Sequence, residues 1–172
     1  MNRSRKAICN KKDLLNLEDY VTVPVDMKEG IVKCRIIYSE SVISVEFTKY
    51  VPANVKTLKK VDAGTIKYDH KYLDRSRLIS LIDKGVADDI IIIRNNCVTD
   101  TSYSNIVFTD GKNWITPDTP LLPGTMREYL LRKGVISQER ITVNDISRFT
   151  HFRLINAMLM FEAPLNHVNF IH

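Results

Sequence analysis

The stretch VTDTSYSNIVFTDGKNWIT, residues 98–116, decides the fold. Two short runs rich in β-branched and aromatic residues, VTDT and NIVF, flank the polar segment SYS, and Asp110-Gly111 ends the second run before NWIT begins. On its N-terminal side, DDIIIIR (88–94) reads as a buried strand, because four consecutive isoleucines leave no polar face, and Asn95-Asn96 supplies a turn. The predicted result is a β-meander. On its C-terminal side, LLPGTMREYLLRKG (121–134) sets Pro123-Gly124 before a helix that Gly134 closes. A short helix is expected near Asn144-Asp145, and FRLINAMLMFE (152–162) reads as a strand leading into a turn.

Upstream of the meander, Leu73, Leu78, Leu81 and Ile82 recur at helical spacing, which predicts an amphipathic helix from Lys71 to the stop at Gly85. Before it the chain looks mostly β. MNRSRKAI and the leucines at 14, 15 and 17 read as helical pieces, whereas Thr22–Val25, Ile31–Tyr38 and Val42–Tyr50 read as strands. Pro24, Gly30, Pro52 and the Asp62–Gly64 turn punctuate this part, which is expected to end near residue 66. The predicted class is α+β, with a small N-terminal subdomain over 1–66 and a C-terminal subdomain over 67–172.

Composition narrows the function classes. The 172 residues carry 25 Lys+Arg against 20 Asp+Glu, a net +5, but the basic residues are scattered without a run interleaved with aromatics, which argues against nucleic acid. Cys9, Cys34 and Cys97 are odd in number and widely spaced, so they build neither a disulfide framework nor a Cys-x-x-Cys metal site. No apolar stretch approaches a membrane span, and MNRSRK is not followed by an apolar signal core; a cytoplasmic protein is expected. His70, His151, His167 and His172 lack metal-ligand spacing, so no metal is assigned. Trp114, Tyr38 and Phe108 are read as core residues.

By itself LPGTMR is a loop entering a helix N-terminus, where free N–H groups and the macrodipole attract an anion; taken alone, a plain capped helix is the more common reading. The order of the segments carries more weight than any one of them. KYLDR (71–75), VTDTSYSNIVF (98–108), the TP-x-x-PLLPGTMR block (116–127) and INAM (155–158) together resemble the class IV pyridoxal-phosphate family, which includes branched-chain and D-amino-acid aminotransferases and 4-amino-4-deoxychorismate lyase. The resemblance runs from Arg3 to about Glu162. It implies fold type IV, a larger β-barrel-like C-terminal subdomain, pyridoxal 5'-phosphate as cofactor and a homodimer.

The same resemblance assigns roles to residues. Lys71 falls at the Schiff-base lysine, in a motif where Asp74 stands in place of the usual Asn. Asp100 falls where the family has an acid, usually Glu, against the pyridine nitrogen. The backbone N–H groups of Thr125 and Met126, the Thr125 hydroxyl, Arg3 in an M-x-R helix, and Asn156 with Ala157 would hold the phosphate. Arg35 is similar to the family arginine for a substrate carboxylate, and Tyr103 and Met158 would line the substrate side. Lysine must be neutral at working pH to act as base, so a buried cationic site that lowers its pKa is expected around Lys71, with His70 as a neighbour able to tune it.

The resemblance begins at the M-x-R helix, so the family's usual N-terminal segment is expected to be missing from this sequence, which would leave an exposed sheet edge favouring dimerisation or instability. KYLDR and INAM lean toward the lyase over an aminotransferase, and the substrate expected is a small amine bearing a carboxylate. A non-catalytic cofactor-binding relative and a small anion-binding domain are the competing readings.

Overall fold

Residues 1–83, 85–159 and 161–172 are described by a computed structural model. Two compact units divide the chain, Met1–Pro52 and Ala53–His172.

The first unit holds helix α1 (Asn2–Cys9) and the antiparallel hairpin β1 (Val32–Tyr38) and β2 (Val42–Lys49). The expected strand at Thr22–Val25 does not form; Pro24 precedes a 3-10 turn over Val25–Met27 instead, in keeping with proline's missing N–H donor. The leucine-rich piece at 14–17 likewise yields a 3-10 turn, Leu17–Asp19, capped by the Asn16 side chain.

The second unit starts earlier than the sequence suggested. Strand β3 (Leu58–Asp62), whose alternation is broken by the adjacent lysines Lys59 and Lys60, was not anticipated, and it pairs in parallel with β4 (Asp89–Arg94). That pairing takes residues 53–66 into the C-terminal unit and moves the boundary from 66 to Pro52. The expected helix over Lys71–Gly85 contracts to one turn, α2 (Ser76–Ile79), and the chain from Ile66 to Arg75 is irregular. Of its apolar stripe, Leu78 is buried with Leu81 and Ile82 packed beside it, whereas Leu73 is 65% exposed, so only the C-terminal part of the stripe finds a core. Lys84 lies outside the described residues.

β4 turns through Asn95-Asn96, both at positive φ as a tight hairpin turn requires, into β5 (Cys97–Thr101). The meander then breaks. Thr101 N–H donates to the Ser104 carbonyl, and the chain leaves this three-stranded sheet for a second one, ordered β10-β9-β6-β7-β8. Its strands are β6 (Asn105–Thr109), β7 (Trp114–Pro117), β8 (Ser137–Glu139), β9 (His151–Ile155) and β10 (Asn166–His167). β9 stops at Ile155 and gives way to a turn, as the sequence suggested, and Met160 lies outside the described residues. A 3-10 helix, Val143–Arg148, replaces the short helix expected at 144–145 and carries a Thr142–Asp145 capping box.

The isoleucine run explains how the layers stack. Ile91 and Ile93 face a core shared with Leu58, Val98, Phe108 and Phe152, so the two sheets pack against each other there. Ile90 and Ile92 point the other way, onto Leu78 and Leu121. β4 is thus covered on both faces, as four consecutive isoleucines demand. Helix α3 (Thr125–Arg132) lays Leu130 on the outer side of the second sheet, beside Val107 and Ile155.

Candidate active site

Where β5 leaves one sheet and β6 enters the other, the turn Thr101–Asn105 meets three loops. One is 121–125 before α3, one is 156–159 after β9, and one is the irregular segment 66–75.

Asn105 joins the first loop to the turn. Its Nδ2 donates to Asp100 Oδ1 at 2.6 Å and to the Leu122 carbonyl at 2.9 Å, while its Oδ1 accepts from Gly124 N–H at 3.0 Å. Asp100 completes the clamp by accepting from Leu122 N–H at 2.9 Å through Oδ2. A β-carbon on Gly124 would lie 2.3 Å from Asn105 Oδ1, so glycine is required there by close approach and not by its φ of −76°. Asp100 is buried; desolvation pushes its carboxyl up to about 6, against the pull of hydrogen bonds from Leu122, Asn105 and Leu121 and of the Arg127 charge.

The clamp aims the start of α3. Gly124 is its N-cap and no side chain caps it, so the N–H groups of its first turn are left for an outside acceptor. Thr125 is exposed at this end, while Met126 is half-buried against the second sheet. Arg127, in the same turn, is buried with Nη2 donating to the Pro117 carbonyl and to Gln138 Oε1.

Asn156 organises the third loop. Its Oδ1 accepts from Met158 N–H at 2.8 Å and Leu159 N–H at 3.0 Å, and its Nδ2 donates to Ser104 Oγ at 2.8 Å. Ala157 is exposed and Met158 half-buried. Tyr103, half-buried, lines a cavity of about 20 Å³ with Val55, Leu154, Leu159 and Ala163, which is room for about one water molecule.

Lys71 lies in the segment 66–75 and is exposed, contrary to the burial expected of it. Tyr68 packs toward the Leu121 cluster, and its hydroxyl pKa is raised by burial, partly countered by the nearby Arg75 charge. Asp74 Oδ1 accepts from Ser76 N–H at 2.8 Å, and His70 lies 4.0 Å from Asp69 and edge-on to Tyr72. Arg75 donates from Nη2 to the Ser102 carbonyl, fastening the lysine segment to the turn.

Two expected arginines lie in the other unit. Arg3 is exposed on α1, and it is Arg5 that α1 buries, with its guanidinium on the carbonyls of Glu40 and Asp13 and on Asp13 Oδ2 at 2.8 Å. Arg35 is exposed on β1, facing Glu46 of β2 at 3.3 Å. Sequence reasoning passed over Asn105, Ser104 and Arg75, although all three stand inside the quoted motifs; their signal was a polar side chain at a point where the chain changes sheet or enters an irregular segment.

A β-rich unit that presents a lysine segment, a buried acid and an uncapped helix start around one turn defines a class. The chain belongs to the amino-transferase class IV family, whose sequence profile matches residues 59–162. Its fold is fold type IV, that of pyridoxal-phosphate enzymes. A protein of unassigned function from Haemophilus influenzae is 38% identical over 146 residues, covering 84% of this chain and 78% of the relative. A solved structure from Haemophilus somnus 129PT, provisionally described as a 4-amino-4-deoxychorismate lyase, is 38% identical with a TM-score of 0.70, covering 74% of this chain and 66% of that one. A Mesorhizobium loti protein provisionally described as an amino-acid aminotransferase shares the fold at 17% identity and a TM-score of 0.70, over 86% of this chain and 76% of that one. A hypothetical aminotransferase from Mycobacterium tuberculosis in its PLP-bound form shares it at 21% identity and a TM-score of 0.62, over 79% and 60%.

The residues present fit pyridoxal phosphate. An uncapped helix start suits its phosphate, and an exposed lysine suits its aldehyde. A carboxylate has about four acceptor positions, and Asn105, Leu122 and Leu121 leave Asp100 one more for a protonated ring nitrogen. Among the described residues no helix is long and apolar enough to cross a membrane.

Proposed function

We propose that this chain holds pyridoxal 5'-phosphate on Lys71 and acts as a 4-amino-4-deoxychorismate lyase, releasing pyruvate and leaving 4-aminobenzoate. The observation that carries the cofactor is the Asn105–Asp100 clamp, which fixes the loop 121–124 and turns the uncapped start of α3 toward an anion. The relative from Haemophilus somnus supports the lyase, at 38% identity.

Pyridoxal phosphate, when bound, supplies an electron sink conjugated to the substrate's amino-bearing carbon. Lys71 Nζ takes the proton from that carbon and needs to be uncharged to do so. Asp100 is the acid for the ring nitrogen. Thr125, the N–H groups of Thr125 and Met126, and Asn156 with Ala157 serve the phosphate, with Arg3 as a further candidate. Tyr103 and Met158 face the substrate, and Arg35 is the candidate for its carboxylate. The assembly is a homodimer acting on a small amine with a carboxylate, in the cytoplasm, in folate synthesis.

An amino-acid aminotransferase, branched-chain or D-amino-acid, is the second reading, supported by the family profile itself. Purified protein loaded with the cofactor and given aminodeoxychorismate should release pyruvate and 4-aminobenzoate. Release of keto acid from branched-chain or D-amino acids, without pyruvate from aminodeoxychorismate, would select the aminotransferase. Cofactor binding without either product would leave a non-catalytic relative.

A further inference from the structure

Two ionisable side chains, half-buried Arg75 and buried Asp89, lie against a single turn residue, Ser102. On one side Arg75 donates from Nη2 to the Ser102 carbonyl, and its Nε is buried with no acceptor. On the other side lies Asp89, at the start of β4 and 3% exposed, with its carboxyl facing the Ser102 and Thr101 side chains and Ser102 N–H, neither oxygen closing a well-aligned hydrogen bond. Burial raises the Asp89 pKa, and those neighbours oppose the rise.

A guanidinium stays charged at any working pH, so its hydrogen bond to the Ser102 carbonyl is charge-assisted. Arg75 is also the last residue of KYLDR, four positions after Lys71, in a segment with no helix or strand of its own. Ordering such a segment costs backbone entropy at every residue, which the segment's own contacts must offset. Its start is held by Tyr68 against the Leu121 cluster and its end by Arg75. Between them Lys71, Tyr72 and Leu73 are exposed.

We propose that Arg75 is the positioning residue of Lys71. It pins the C-terminal end of the lysine segment to the turn that follows Asp100 and carries Tyr103, and Asp89 backs that turn. The use of Lys71 as the reactive amine rests on the function proposed above; the pinning does not.

Trypsin reads the pinning directly, because Lys67 and Lys71 are cleavage sites inside the segment. Arg75→Met keeps the apolar stem and removes the donors. Under native conditions cleavage after Lys67 and Lys71 should rise about tenfold, as expected for losing one charge-assisted hydrogen bond that closes a local segment. Arg75→Lys, which keeps one charge and one reach to the carbonyl, should fall between, and Asp89→Asn should also raise cleavage. Labelling of Lys71 by pyridoxal phosphate and borohydride should fall in Arg75→Met by a similar factor. Unchanged cleavage in Arg75→Met overturns the proposal, and so does raised cleavage with undiminished labelling. If Arg75→Met does not fold, Arg75→Lys and Asp89→Asn decide by the same cleavage readout. Wild-type protein that resists labelling altogether, with cleavage raised in Arg75→Met, upholds the pinning and rejects the proposed function instead.

Discussion

Replacing Gly124 by alanine tests the clamp that shapes the anion site. The added carbon would sit 2.3 Å from Asn105 Oδ1, and the amide cannot swing away freely because its other end is bound to Asp100 and to the Leu122 carbonyl. Displacing it breaks three hydrogen bonds, one to an acid. With about 1 kcal/mol for each neutral bond and about 2 for the charged one, Gly124→Ala should cost about 4 kcal/mol in urea unfolding. Asn105→Ala should cost a similar amount by removing the same bonds. It also removes the atom that the new carbon would strike, so the double variant should be little worse than Asn105→Ala alone. Additive losses, with the double variant near twice either single, would refute the idea that Gly124 is needed because Asn105 fills the space. A Gly124→Ala loss below about 0.5 kcal/mol would refute the clamp itself.

Stability should depend on Asp100 in a defined pH window. Its folded pKa of about 6 lies above the ordinary aspartate value of 3.8, so the native state holds the proton more tightly than the unfolded chain. The contribution is complete below pH 4 and lost as pH rises through 6, about 3 kcal/mol in total; urea midpoints measured from pH 4 to 7 should show that fall, and Asp100→Asn should flatten it. Ile91→Ala, which empties the core shared by both sheets, should lower stability by about 3 to 4 kcal/mol in the same assay. Asn156→Ala frees Met158 N–H and Ser104 Oγ and leaves Leu159 N–H only the residue 156 carbonyl, and should cost about 2 kcal/mol while raising hydrogen exchange across 156–159.

Sequence and structure agree best where periodicity is strong and local. The isoleucine run had to be a strand covered on both faces, Asn95-Asn96 had to turn, and Pro123-Gly124 had to open a helix. β3 was hidden because only Leu58 on it is fully buried, with lysines at its next two positions, so a parallel partner thirty residues away decided its state. The helix from Lys71 shortened because its stripe found a core only at Leu78, Leu81 and Ile82, while Leu73 stayed exposed. At the site, the motifs marked the right loops without saying which member of each does the fastening. Asn105 and Arg75 act through partners in other segments, a relation that no spacing within one segment encodes. α1 shows the same limit, because Arg3 and Arg5 differ by two positions and only the tertiary partners of Arg5 tell them apart.

The most direct measurement is the location of the cofactor. Protein incubated with pyridoxal phosphate, reduced with borohydride, digested and mapped by mass spectrometry should carry the label on Lys71, and Lys71→Ala should lose it while keeping wild-type stability within about 0.5 kcal/mol. A label on another lysine, or one that persists in Lys71→Ala, would contradict the site.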